Sequence, residues 1–207
     1  MRLSRNRNWG HPSLVQFLER LAERAAETGW PGLLLGDMSQ PRGGPMPTGR
    51  ASHQVGLDAD IWLTPMPAHE LTREEREELM ATMVVAEDRK DVDPEVWTPA
   101  HVALIKAAAE DPHVLRIFVN AAIKKALCRD AGKDRAWLRK VQPWWGHDWH
   151  FHVRINLPAR QSGMQAAAPA RCGGRLRQGA RSLVYRRDTA HQARPDTLEA
   201  AAGTQNG

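Results

Sequence analysis

The sequence predicts an α+β fold: a single domain whose small antiparallel sheet, flanked by helices, carries the chemistry, followed by an irregular C-terminal tail. Three observations lead there. Residues 14 to 25 keep apolar side chains at helical spacing, whereas 57–62 and 150–155 alternate apolar and polar with a period of two. Each alternating segment places its chemical side chains on one face, so two such strands meeting in one sheet would gather them. The chain's 207 residues are also enough for one domain with a sizeable core.

In order along the chain, Ser13 with Gln16 reads as a capping box, and Leu14, Phe17, Leu18, Leu21, Ala22 and Ala25 then keep helical spacing until Gly29. Leu33-Leu34-Leu35 is an expected buried strand. It ends in the Gly- and Pro-rich loop from Asp37 to Thr48, which is expected to wall a cleft. Leu57–Trp62 follows, with Leu57, Ala59 and Ile61 on one face and Asp58 and Asp60 on the other. A second helix, started by Thr72 with Glu75, is expected to run toward Val85 with its charged face in water. Thr98-Pro99 opens a third, with Val102, Leu104, Ile105 and Ala108 behind it, and proline suits the first helical position. Val114–Val119 reads as a buried strand and Ala121–Cys128 as a short helix. Trp137 is expected in the core, and at least one of Trp144, Trp145 and Trp149 against substrate. His150–Ile155 is the last strand, with His150 and His152 on one face and Phe151 and Val153 on the other.

Charge separates the tail from the rest. From Ala159 onward there are eight Arg and three acids, a balance of +5 that equals the formal net charge of the whole chain. Residues 1–158 are therefore neutral overall, and the basic character is no sign of nucleic acid as a partner for the folded part. The tail has no Lys, repeats Ala, Arg, Gly and Gln, and is expected to be disordered beyond the short stretch Leu183-Val184-Tyr185. No apolar run approaches the roughly 20 residues of a membrane span.

The chemical reading rests on Ser52–Asp60 and His147–His152. Zinc in hydrolytic sites takes three protein ligands from His, Asp and Glu and keeps a position for water. His53, Asp60 and His152 supply such a set. His150, two residues before His152 on the same strand face, is placed to take a proton from the attacking water and hand it to a leaving amine. The chain has nine His, so His-x-His alone carries little, and the weight lies with the carboxylate-bearing partner segment.

The runs Gly36–Pro45, Ala51–Trp62 and His150–Arg154 resemble the penicillin-insensitive murein endopeptidases, of the zinc peptidase group named after lysostaphin, D-Ala-D-Ala carboxypeptidase and sonic hedgehog. The likeness runs from about Asn6 to Pro158. It implies zinc on His53, Asp60 and His152, His150 as the catalytic base, and His147 as an active-site residue contacting substrate or the developing oxyanion. It also implies cleavage of the D-alanyl to meso-diaminopimelyl cross-link between peptidoglycan stem peptides, in the periplasm. Some members hold a second zinc near the acidic loop Glu87–Asp91, which adds Asp88 and Asp91 as candidate ligands.

Departures from the pattern matter too. Arg50 stands where members carry a metal-associated His, and a guanidinium does not serve as a ligand. Cys128 stands where members place a disulfide partner; the other cysteine is Cys172, and a bridge and free thiols both stay open. Met1–Asn8 begins basic without the apolar stretch of a secretory signal, so the start is expected to be shortened. Leu157-Pro158 replaces the Cys-Pro that continues the family's strand, as a shifted reading frame after about Ile155 or a tail particular to this lineage would explain. Alternatives to the endopeptidase reading are a D,D-carboxypeptidase of the same group and a non-catalytic zinc- or peptidoglycan-binding remnant. The sequence assigns no oligomeric state.

Overall fold

The pairing of β1 (Asp58–Trp62) with β4 (His150–Ile155) sets the frame of the molecule. In this computed structural model, residues 1–46 and 52–156 are described. Arg50, the end of the Gly- and Pro-rich loop, Cys172 and the basic tail lie outside them. A four-stranded sheet has the order β1-β4-β2-β3, with β2 at Val114–Val119 and β3 at Val141–Pro143. β4 runs antiparallel to both neighbours, while β3 runs parallel to β2 at the edge. The α+β class holds, and the sheet is mixed rather than purely antiparallel.

The register sorts the two faces. Ala59 opposes Val153 and Ile61 opposes Phe151, all fully buried, so this face joins the core. α1 (Pro12–Glu27) contributes Leu14, Phe17, Leu18 and Leu21 to that core, and α3 (Pro99–Glu110) contributes Leu104, Ile105 and Ala108. α4 (Ala121–Asp130) adds Ile123 and Leu127. The other face carries Asp58, Asp60, His150, His152 and Arg154, and there Phe118 of β2 lies opposite His152.

Local chemistry explains most boundaries. α1 begins one residue before the expected capping box: Pro12 takes the first position, and the ring of His11 accepts from Ser13 N. α2 (Arg73–Glu78) has the expected reciprocal cap between Thr72 and Glu75. It stops at Glu78 instead of running toward Val85. Val84 and Val85 are buried in an extended segment, where Val84 N donates to Asp148 O and Val85 bridges Val92. Pairing of these β-branched residues outweighs helical continuation there. Leu33-Leu34-Leu35 is not a regular strand: only Leu34 is buried, and Leu35 makes a single bridge to Ile61. The segment nonetheless hydrogen-bonds along β1, Gly36 N donating to Asp60 O and Asp60 N to Asp37 O. A Cβ at Gly36 would come within 2.9 Å of the Trp62 indole nitrogen and 3.1 Å of Asp60 Cβ, so only glycine lets the chain lie this close. Among the described residues no helix is long and apolar enough to cross a membrane.

Candidate metal centre and its cleft

Asp60 and His152 are direct partners across the β1–β4 ladder, which places their side chains together on one face. His53 reaches them from the turn before β1, in a left-handed backbone conformation (φ 67°) that a non-glycine residue adopts only when its surroundings hold it. One ligand atom from each of His53, Asp60 and His152 lies within 4.8 Å of the others, and all three residues are buried. His53 Nε2 is 3.3 Å from Asp60 Oδ1.

His152 lies between two carboxylates. Its Nδ1 is 2.9 Å from Asp60 Oδ1 and its Nε2 is 2.9 Å from Asp58 Oδ1. Ionised carboxylates only accept, so both ring nitrogens carry protons in this state. Burial opposes that charge, but hydrogen bonds to Asp58 and Asp60 outweigh it and push His152 up to about 9. Burial also opposes ionisation of Asp58, yet hydrogen bonds from His152 and Arg154 hold it down at about 2. Asp60 is held well below the usual carboxylate range in the same way, by His152 and His53 against its own burial. A proton on His152 therefore balances the negative charge of this cluster.

The donor set fits a metal ion. In the buried His53, Nδ1 lacks a hydrogen-bond partner among the described residues, and Nε2 meets the Asp60 carboxylate at 3.3 Å. His101, a buried histidine of the core, shows what satisfaction looks like: its Nδ1 meets Thr98 and its Nε2 lies 3.0 Å from Leu63 O. Buried polar nitrogens are rarely left without partners, and two imidazoles with one carboxylate are a common set for a divalent metal.

His150 and His147 border this cluster. His150 Nε2 is 3.7 Å from Asp60 Oδ1, and the His147 and His150 rings are 4.9 Å apart between centroids. A cavity of about 360 Å³ opens beside His150, lined by Asp60, His150, Trp62, Met83, Trp149 and Arg5 among others. Asp37, the first residue of the expected loop, lines it as well, with Gly36 just before it. Trp149 tilts over His150 at 5.2 Å, Trp144 and Trp145 are exposed, and Trp137 is buried in the core. A larger cavity of about 910 Å³ borders Asp91, Trp97 and Trp137 and touches none of the cluster.

Asp88 and Asp91 have other partners. Asp91 accepts from Lys125 and Arg129, whose hydrogen bonds, that of Lys125 first, hold it at about 2, and Asp88 accepts from Lys90 N. Neither belongs to a cluster of three or more metal-binding side chains among the described residues. The same loop supplies a residue that the sequence reading passed over. Arg89 donates with both terminal nitrogens to buried Asp148, at 2.9 and 3.0 Å. Asn120, whose side chain caps α4, also donates to Asp148 and to Gly146 O. These bonds anchor the segment carrying His147 and Trp149. Arg154 likewise grips Asp58, through Nε at 2.7 Å and Nη2 at 2.6 Å. A basic residue two places after His152 on the same strand face was the available signal.

Comparison with known proteins gives the family. The sequence model described as "Penicillin-insensitive murein endopeptidase" matches residues 1–201. A protein of that name from Haemophilus influenzae is 49% identical over 175 residues, covering 84% of this chain and 60% of the relative. One from Klebsiella pneumoniae is 48% identical over 169 residues, covering 82% and 61%. Another from Escherichia coli is 48% identical over 159 residues, covering 77% and 58%. The chain thus spans about 60% of the length of these relatives. With a matching family model over nearly its whole length, the chain belongs to the penicillin-insensitive murein endopeptidase family.

Proposed function

We propose that the chain is a zinc-dependent endopeptidase that cleaves D-alanyl to meso-diaminopimelyl cross-links between peptidoglycan stem peptides in the periplasm. What carries the reading is the meeting of His53, Asp60 and His152 beside a cleft that Asp60 and His150 line, in a chain nearly half identical to proteins named murein endopeptidases. These three residues would hold the ion. Bound zinc supplies a Lewis acid that polarises the scissile carbonyl and lowers the pKa of water.

The chain's own side chains supply binding and proton transfer. His150, beside Asp60 and at the edge of the cleft, takes a proton from the attacking water and returns one to the leaving amine. His147 lies against His150, and its Nδ1 is 3.0 Å from Trp145 O, which orients the ring for contact with substrate or the developing oxyanion. Trp62, Met83 and Trp149 give the cleft apolar walls that position a peptide and exclude water. No serine nucleophile enters this scheme, so a penicillin, whose β-lactam carbonyl is attacked by serine, meets no group to acylate.

Product analysis tests the assignment. The purified chain with zinc should convert cross-linked dimeric muropeptides to monomers. Release of terminal D-alanine from uncross-linked pentapeptide, with dimers left intact, would instead identify a D,D-carboxypeptidase.

A further inference from the structure

We propose that Asp58 is a positioning residue that sets both histidines of the metal centre, fixing the Nε2 proton of His152 so that Nδ1 is its ligand atom. The inference rests on the metal set proposed above. It adds a residue that binds neither ion nor substrate.

Asp58 is fully buried, and a carboxylate in that position is costly unless donors surround it. Four donors do. Oδ1 accepts from His152 Nε2 at 2.9 Å and from Arg154 Nε at 2.7 Å. Oδ2 accepts from Arg154 Nη2 at 2.6 Å and from the backbone N–H of His53 at 3.3 Å. A carboxylate has about four lone-pair directions, and this one uses each of them.

Each bond has a separate consequence. With Nε2–H given to Asp58, the ring of His152 presents Nδ1 toward Asp60 Oδ1, and Nδ1 is the nitrogen that faces the cluster. A ligating imidazole whose second nitrogen donates to a carboxylate has its tautomer and orientation fixed. The bond to His53 N holds the turn in which His53 has φ 67°, the conformation that brings its ring to Asp60. Arg154 neutralises the buried carboxylate. An ion pair serving only the sheet would need Arg154 alone; here the same two oxygens reach both histidines.

Two measurements test this. In the zinc-loaded parent chain, long-range proton–nitrogen NMR of the His152 ring should find the proton on Nε2 and the metal on Nδ1. Asp58→Asn, with its fold checked by circular dichroism, should bind zinc about 10- to 100-fold more weakly by competition with a chelating dye. Arg154→Gln keeps the carboxylate and its bonds to both histidines, and should weaken zinc binding less than Asp58→Asn does. Zinc on Nε2 in the parent chain overturns the proposal, and this reading needs no variant to fold. Equal weakening in both variants overturns it too, because that marks general loosening of β4. A chain with the expected ring state that leaves muropeptides uncut would sink the endopeptidase reading and not this one.

Discussion

Asp60 and His152 face each other directly across the β1–β4 ladder, with His152 Nδ1 2.9 Å from Asp60 Oδ1. The candidate metal centre is thus a property of strand register: a slip of one residue would turn one partner to the opposite face of the sheet. Asp60→Ala or His152→Ala should leave the purified chain without stoichiometric zinc by elemental analysis and without muropeptide cleavage. His150→Ala should retain zinc and lose about 10²- to 10⁴-fold in turnover, as expected when a general base is removed. Cleavage at the parent rate by His150→Ala would remove His150 from the mechanism.

Zinc uptake should be coupled to proton release. His152, raised to about 9 by Asp58 and Asp60 against its burial, is protonated in the metal-free chain at neutral pH and must lose a proton to become a ligand. Apparent zinc affinity should therefore rise about tenfold per pH unit toward pH 9 for this proton and flatten above it. The sign for folding runs the other way. Because the folded value exceeds the ordinary one of 6.5, this contribution to metal-free stability is complete below 6.5 and is lost as pH rises through about 9. Calorimetric titration with zinc at neutral pH in buffers of different ionisation enthalpy should report release of at least one proton, and a buffer-independent enthalpy would contradict it.

Trp149 tilts over His150 and walls the cleft, yet contributes no atom to the metal cluster. Trp149→Ala should keep zinc and raise KM about two- to tenfold, the size of one lost aromatic contact, with a smaller change in kcat. Steady-state cleavage of a soluble cross-linked muropeptide reads this split. An unchanged KM would move the substrate away from this wall.

Lys124 is buried in α4, where its ammonium donates to Leu138 O at 2.7 Å. Burial, together with repulsion from Arg135, pushes it down to about 8. Since the unfolded chain holds this proton more tightly, Lys124 weakens folding below pH 8, and stability recovers as pH rises from about 8 toward the ordinary value of 10.5. Lys124→Met should remove that recovery, a difference on the order of 1–2 kcal/mol after allowance for solvent screening of the ammonium. Chemical denaturation of parent and variant at pH 7.5 and pH 10 measures it, and parallel pH profiles would contradict it.

The sequence was most legible where one periodicity dominates. β2 and β4 have the expected bounds, and β1 begins at Asp58, one residue late. Alternation grouped Asp58 with Asp60 and His150 with His152, each pair on one face of its own strand, and the β1–β4 pairing brings those faces together. The Thr72–Glu75 cap was legible for a similar reason, since all its partners lie within three residues. The end of α2 was not, because Val84 and Val85 are held by Asp148, Asp93 and Val92, partners distant from the helix signal. β3 has only three residues and ends in Pro143, too short to show a period. In the site, the hydrogen bonds of Arg89 to Asp148 and Arg154 to Asp58 join residues 59 and 96 positions apart, and no local pattern announces such pairs.

The central claim is that His53, Asp60 and His152 hold a zinc ion on which peptidoglycan cross-link cleavage depends. Its most direct test is a single preparation of the purified chain, assayed for zinc content and for cleavage of cross-linked muropeptides before and after chelation. The account predicts zinc in the untreated chain, dimer cleavage that ceases on chelation, and recovery when zinc is returned. Cleavage that persists in the metal-stripped chain would contradict it.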